Sequence, residues 1–297
     1  MVRALGTLFA ALAGLAFGSF LNVCLSRWPE GESVVKPRSH CRSCARTLAW
    51  WENVPVVSWL ALRGRCRTCG AWIGWRYPIV ELAVGATWSI VAWRYLGQFA
   101  SLSTYADIKH PPSLATAAIL MAFDWVLIGL AVLDAEHLWI PDVVTLPGAV
   151  LGLLSDVLYE GSMGSSFVLN RIDWRVVGER LLGILAAAAL ILLIRWLYWL
   201  FRRREGIGLG DAKLMAMLAA WLGLPGALLS FGLGVTLGAF VAVILLIVPS
   251  KGNQPGDNPQ SWALTRLPLG TFLCIGGVVT SLWGQRIINA YLHWAGF

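Results

Sequence analysis

The sequence predicts an all-α polytopic membrane protein of about eight transmembrane helices, with a small zinc-binding module on the cytoplasmic side. Three features point there. Of the 297 residues 58% are hydrophobic and only 13% are charged, where a soluble domain carries about 25% charged residues. The apolar residues fall into runs long enough to span a bilayer, which takes about 20 residues of helix. Four of the six cysteines form two Cys-x-x-Cys pairs, a spacing that suits metal ligation better than scattered core thiols. The net charge of +7 then reads as membrane topology and not as a nucleic-acid surface.

Residues 4–25 are the first apolar run. Arg3 ahead of it and Ala13-Gly14 within it look like a secretory signal, and cleavage there would export the loop that follows. That loop, residues 26–77, holds nine Lys/Arg against three acids. Positive loops stay in the cytoplasm, so the first run reads as an uncleaved anchor with its N-terminus outside. The further spans are expected at 78–96, 114–133, 142–159, 176–200, 211–224, 227–248 and 267–288. External loops fall at 98–113 and 160–175, internal ones at 134–141 and 249–266. This path leaves sixteen Lys/Arg inside and seven outside. The chain thus divides into an anchor (1–25), a four-cysteine module (26–77) and a membrane core (78–297).

Within the module, Cys41-x-x-Cys44 and Cys66-x-x-Cys69 repeat at an offset of 25, and Arg42 and Trp50 recur with them as Arg67 and Trp75. Four thiolates are the tetrahedral set of a structural zinc; two disulfides are the rival, disfavoured on the reducing side of a membrane. A zinc with four sulfur ligands has no open position, so it staples the loop. Cys24 and Cys274 lie in spans as packing residues, and His40 reads as a solvated loop histidine. Trp28, Trp50, Trp51, Trp59, Trp72 and Trp75 either rest on lipid headgroups or fill a small core around the metal.

The chemistry centres on Gly206-Ile207-Gly208-Leu209-Gly210-Asp211-Ala212-Lys213, which follows the inner-face run Arg202-Arg203-Arg204. An ionisable residue at membrane depth is expensive and is read as functional until a partner is found. Asp134 is that partner: it ends an inward-running span where Asp211 begins an outward-running one. Two carboxylates sharing a proton can activate water and polarise a peptide carbonyl. Helix dipoles favour the anion at Asp211 and disfavour it at Asp134, which makes Asp211 the base and Asp134 the acid. Gly208 and Gly210 let the backbone at Asp211 unwind toward an extended peptide. Lys213 reads either as a snorkelling lysine or as a counter-charge for the pair. Asp142 reads as a helix cap; the same plain role is the rival for Asp211, but the glycines ahead of it exceed what a cap requires. The mid-span Asp124 has no assigned role, and Glu81 either pairs with an Arg of the metal loop or lines a substrate site.

Together, Gly18-Ser19-Phe20-Leu21-Asn22-Val23, the paired knuckles, Trp50-Trp51-Glu52-Asn53-Val54-Pro55, Arg76-Tyr77-Pro78 with Glu81-Leu82, Ile140-Pro141-Asp142 and Gly208-Leu209-Gly210-Asp211-Ala212-Lys213 resemble the bacterial type IV prepilin peptidases. The likeness runs in order from about residue 14 to 225. It implies a Gly-x-Gly-Asp aspartyl protease of the bacterial inner membrane, with Asp134 and Asp211 catalytic. Its substrates would be prepilins or type II secretion pseudopilins, cleaved after a Gly that ends a short basic leader. It also implies N-methylation of the new N-terminus with S-adenosylmethionine, with the cytoplasmic module involved and Glu81 a candidate contributor. Asp124 and the polar insert at 160–175 depart from the family's pattern. The rival functions are a peptidase without methyl transfer, an ion or proton-coupled transporter using Asp124, Asp134 and Asp211 as a relay, and a zinc scaffold without chemistry.

Overall fold

The computed structural model describes residues 1–100, 114–161, 174–203, 208–247 and 267–296. Its α-helices are α1 (Val2–Arg27), α2 (Val57–Ala61), α3 (Arg76–Ala100), α4 (Leu114–His137), α5 (Asp142–Gly161), α6 (Trp174–Arg202), α7 (Leu209–Ile247) and α8 (Leu269–Trp294). Among the described residues the only β pairing is two isolated bridges. The expected loop at 249–266 and most of those at 98–113 and 160–175 lie outside the described residues, as do Gly206 and Ile207.

Among the described residues six helices are long and apolar enough to cross a membrane, against about eight expected. The difference lies in two places. The described apolar part of α5 stops at Ser155. α7 holds both expected spans, 211–224 and 227–248, as two helices joined at a kink. It is not straight: Gly223 has φ 71° and ψ 170°, and Pro225 follows. Glycine tolerates that backbone, and proline removes a helical hydrogen bond just beyond it.

The chain packs as two compact units, residues 1–129 and 130–297, with the boundary inside α4. The first unit holds the anchor, the cysteine module, α3 and most of α4. Here α1 turns Ala10, Gly14 and Gly18 inward toward α3. Small residues four apart let helix backbones approach closely in lipid. A Cβ on Gly14 would lie 2.9 Å from Gly85 Cα, and one on Gly18 would lie 2.7 Å from Glu81 Cα. The large apolar side chains Leu5, Phe9 and Leu12 point outward, as a lipid-facing surface requires. The first part of α4 is tied in by Trp88 Nε1, which donates to the Met121 carbonyl at 2.9 Å, and by Trp125 Nε1, which donates to Phe17 at 3.0 Å.

The second unit is built around the first half of α7, whose Leu214, Met215, Met217 and Leu218 are fully buried. α5, α6 and α8 pack against it. Gly276 of α8 sits against the Ser230 carbonyl and Gly234 of α7 against the Phe272 backbone, again without room for a side chain.

Candidate active site and cysteine cluster

Asp134 lies in the last turn of α4 and Asp211 in the first turn of α7, both within the second unit. Both are buried, at 6% and 7% exposure. The charge of Asp134 reaches Asp211, and the fully buried Cys274 thiol feels both. Gly210, next to Asp211, and Gly270, against Asp134, both pack on Ile140.

Each is held from its own side. Oδ2 of Asp211 accepts the Gly208 N–H at 3.2 Å. Gly208 directly precedes the helix, so this is the return half of a capping box, an acid in the first turn reaching back to the cap N–H. Gly210 is helical. Its missing side chain makes room for Ile140, whose Cβ would lie 3.2 Å from a Cβ there. At Gly210 the glycine thus serves close approach, where the sequence suggested an unwound backbone.

Asp134 is anchored by α8. Its Oδ2 accepts the Thr271 N–H at 2.7 Å. The Thr271 hydroxyl lies 2.9 Å from the Ala131 carbonyl and 3.2 Å from the same Oδ2, so its single proton serves one of them at a time. Gly270 lets α8 come this close, since a Cβ there would be 2.9 Å from Asp134 Oδ2 and 2.5 Å from Ile140 Cδ1. Ile140 thus separates the starts of α7 and α8 beside the carboxylates. The chain turns back just after Asp134 through Leu138, whose φ of 51° lies where a helix C-terminus normally places glycine.

Lys213 does not serve the pair. Its Nζ donates to both oxygens of Asp142, at 2.7 and 2.6 Å, which also gives Asp142 a role other than a helix cap. Asp124 is fully buried within the first unit's share of α4. Thr271 and Gly270 were missed in the sequence, although Pro268-Leu269-Gly270 opens α8 with a glycine much as Gly208 precedes α7.

In the first unit the two knuckles fold alike. Cys41 N–H donates to Arg46 O and Cys66 N–H to Ala71 O, at 2.9 and 2.8 Å; Ala45 N–H returns to Cys41 O and Gly70 N–H to Cys66 O, at 2.8 and 2.9 Å. The bridges His40 to Thr47 and Arg65 to Trp72 keep the offset of 25 read from the sequence. Ala45 and Gly70 both have positive φ, 55° and 68°. The four sulfurs lie within 4.8 Å of one another, with Cys41 and Cys69 3.8 Å apart. Tetrahedral sulfurs about 2.3 Å from zinc would stand about 3.8 Å apart, so this donor set fits that ion. Backbone N–H groups of Cys69 and Thr68 hold the Cys66 thiol down to about 6, the thiolate form a metal needs.

Arg46 clamps Glu52 through two bonds of 3.0 and 2.7 Å, and the Ala49 N–H adds a third at 2.8 Å. Arg46 first, and Ala49 second, hold the Glu52 carboxyl below the usual range. Trp59 makes a small core with Trp72 and Trp75, ring centroids 5.8 and 4.5 Å away, while Trp50, Trp72 and Trp75 also show outward faces. Glu81 does not pair with an arginine among the described residues. Its carboxylate takes the Val56 N–H at 2.7 Å and a hydrogen bond from Ser19.

Residues 12–95 match the family model described as the bacterial peptidase A24 N-terminal domain, and residues 121–243 match the type IV leader peptidase family. The chain is 33% identical over 309 residues to the prepilin leader peptidase/N-methyltransferase of Pseudomonas aeruginosa, covering 96% of this chain and 93% of that one. It is 34% identical over 261 residues to the protein of the same name from Myxococcus xanthus, covering 86% and 68%. For the Aeromonas hydrophila protein, also of that name, the figures are 32% over 305 residues, covering 95% and 92%. No solved structure matches the chain.

Proposed function

The chain belongs to the type IV leader peptidase family, and from that premise we propose that Asp134 and Asp211 are its catalytic pair. The protein is an integral membrane enzyme that removes the leader from prepilins and N-methylates the new N-terminal residue, with S-adenosylmethionine as methyl donor. The observation that carries the residue assignment is the approach of two buried carboxylates from opposite helix ends within one unit.

In this reading Asp211 is the base. It takes a proton from a water molecule as the water oxygen attacks the scissile carbonyl carbon. Asp134, protonated at the start, gives its proton to the carbonyl oxygen. The tetrahedral adduct then collapses: the C–N bond breaks, the departing nitrogen takes the proton held by Asp211, and Asp134 recovers its own. Thr271 accommodates this division, although its N–H, 2.7 Å from the same Oδ2, by itself favours the carboxylate. When its hydroxyl proton goes to the Ala131 carbonyl, which can only accept, the hydroxyl oxygen is free to accept from a protonated Asp134. The first turn of α7 supplies the positive dipole end that suits an ionised Asp211. Gly208 supports the pair through its N–H to Asp211, Gly210 and Gly270 by close approach, and Lys213 holds the start of α5 through Asp142.

Cys41, Cys44, Cys66 and Cys69 would hold a structural zinc that staples residues 40–75. The nine Lys/Arg of residues 26–77 support placing this module in the cytoplasm and the protein in the bacterial inner membrane. Pseudopilins of type II secretion share the substrate chemistry, a basic leader before a hydrophobic helix, and we include them. The division into an anchor at 1–25, the module at 26–77 and a protease core at 78–297 follows the same assignment. A transporter relay fits less well, because Asp134 and Asp211 meet each other instead of being spread along a path.

The test is leader cleavage by the full-length protein in proteoliposomes. Asp134→Asn and Asp211→Asn are each expected to slow it by about 10³ or more, while leaving methyl transfer to an already cleaved pilin. Cleavage at the wild-type rate by either variant would refute the assignment.

A further inference from the structure

The first unit contains a cavity of about 840 Å³ whose walls come from α1, α3 and the cysteine module. That lies within the range of about 300–1,000 Å³ typical of small-molecule sites. Aromatic and polar groups share its lining, among them Asn22, Trp59, Tyr77 and Glu81. Most of the charged residues there are already engaged. Arg46 and Glu52 hold each other, Arg42 reaches Glu30 and the Ser26 carbonyl, and Arg27 donates to the Ser33 and Arg38 carbonyls. Glu81 differs: it is 6% exposed and among the described residues is met only by neutral donors, Val56 N–H and Ser19.

Val56 shows how strictly that carboxylate is placed. A β-branched residue with φ 59° and ψ −47° is a genuine backbone outlier. It is the centre of a γ-turn, closed by Val57 N–H donating to the Pro55 carbonyl at 2.5 Å. This is the strained hand of that turn. Strain of this kind persists where the surroundings over-determine it, and it clusters at functional sites. Its effect here is to aim the Val56 N–H at Glu81.

A second acceptor waits close by. Asn22 is 1% exposed and its Oδ1 has no hydrogen-bond partner among the described residues. The orientation of the amide is fixed, because Nδ2 donates to the Tyr77 carbonyl at 3.0 Å and a carbonyl only accepts. Gly18 packs on Glu81, while Asn22, four residues on, bonds Tyr77, four residues back. The backbones of Glu81 and Asn22 therefore sit about one helical turn apart, roughly 5.4 Å along the axis, on facing helices, and both side chains line the cavity. An orphaned buried oxygen beside an unpaired carboxylate is a poor arrangement for an empty protein and a good one for a cation with several N–H donors.

We propose that this cavity is the methyl-transfer site, that Glu81 and Asn22 bind the primary ammonium of the cleaved pilin, and that Glu81 is its proton acceptor. The inference rests on the N-methyltransferase half of the function above. Glu81 takes one proton from the ammonium and exposes the nitrogen lone pair. The neutral nitrogen then attacks the methyl carbon of the sulfonium donor. A C–N bond forms, the C–S bond breaks and its electron pair stays on sulfur as a thioether. The product is a secondary ammonium, and the proton on Glu81 is released to water.

Glu81→Gln is the informative variant, because the amide keeps an oxygen for Val56 N–H and removes only the charge. In full-length protein in nanodiscs, methyl transfer to an already cleaved pilin should fall about 10²-fold or more, with leader cleavage within about twofold of wild type. Calorimetric binding of S-adenosylhomocysteine should change by less than about threefold. Wild-type protein should bind a pilin N-terminal peptide more tightly than its N-acetylated form, and Glu81→Gln should lose that preference. Glu81→Asp should recover part of the rate, and Asn22→Ala should raise KM for the cleaved pilin about tenfold, the worth of one hydrogen bond to a charged group. Methyl transfer by Glu81→Gln within about fivefold of wild type would overturn the proposal. So would parallel loss of cleavage and thioether binding, which would make Glu81 part of the scaffold. Cleavage that survives Asp134→Asn or Asp211→Asn would sink the peptidase assignment and leave this one standing.

Discussion

Replacing Gly270 with Ala tests whether α8 sets the position of Asp134. A Cβ at residue 270 would come to 2.9 Å from Oδ2 and 3.0 Å from Cγ of Asp134, and to 2.5 Å from Ile140 Cδ1. Carbon and oxygen settle near about 3.4 Å, so the carboxylate must yield by about half an ångström, while Ile140 can rotate away. The shift also stretches the bond from Thr271 N–H, now 2.7 Å. A misplacement of about 1 Å is worth about 10²-fold in rate; half of that, taken logarithmically, predicts a loss of about tenfold in kcat for cleavage. Single-turnover cleavage in proteoliposomes measures it, with methyl transfer to a pre-cleaved pilin as the folding control. Wild-type cleavage would show that Asp134 is placed by α4 alone, and a matched fall in both activities would show a general packing defect.

Three further outcomes follow from the cysteine module. Purified protein should carry one equivalent of zinc per chain by elemental analysis, and Cys41→Ser or Cys66→Ser should remove most of it, since a four-thiolate site loses its closed geometry with any ligand. Ala45→Gly should stabilise the first knuckle by about 1 kcal/mol, because φ 55° strains any residue with a Cβ; slower hydrogen exchange across residues 41–47 would show it. Glu52, whose folded value is held down by Arg46, adds stability that is complete above the ordinary glutamate value of about 4.3 and disappears as the pH falls through the lower folded value. Glu52→Gln should therefore flatten the acid limb of module stability, read by exchange between pH 3 and 6, roughly the span over which glutamates titrate.

Much of this was legible in the sequence because the constraints acting on it are simple ones. A bilayer demands long apolar runs, and charged loops record their side. The 25-residue offset of the two knuckles survived into matching hydrogen bonds because each is a short local turn, closed within five residues. Asp134 and Asp211 were legible because a carboxylate at a membrane boundary needs a reason. Thr271 was not, since it reaches Asp134 across 137 residues and threonine is unremarkable at the start of a span. Lys213 left two readings open, and only folding showed that Asp142, 71 residues away, takes its charge. The α7 break was legible too, because Pro225 cannot continue a helix without loss and the non-helical backbone falls at Gly223, two residues before it. Val56 was unreadable for the opposite reason: propensity argues against its conformation, and only the demand of Glu81 for an N–H makes sense of it.

The two chemistries ask opposite things of a carboxylate, and the chain meets them in separate units. Hydrolysis needs an acid and a base of the same kind, and in the assignment proposed here Asp134 and Asp211 fill these roles, the Asp134 charge reaching Asp211. Amine methylation needs a base that no cation has already neutralised and no second acid can protonate. Glu81 is given only Val56 N–H and Ser19, donors that orient an anion without cancelling its charge. Arg46 stands in the same module and could have supplied a guanidinium, but both of its terminal nitrogens are committed to Glu52. That commitment leaves the charge of Glu81 for a substrate amine, which is why Glu52→Gln, by freeing Arg46, should also weaken the preference for a free N-terminus even though Glu52 itself never touches the substrate.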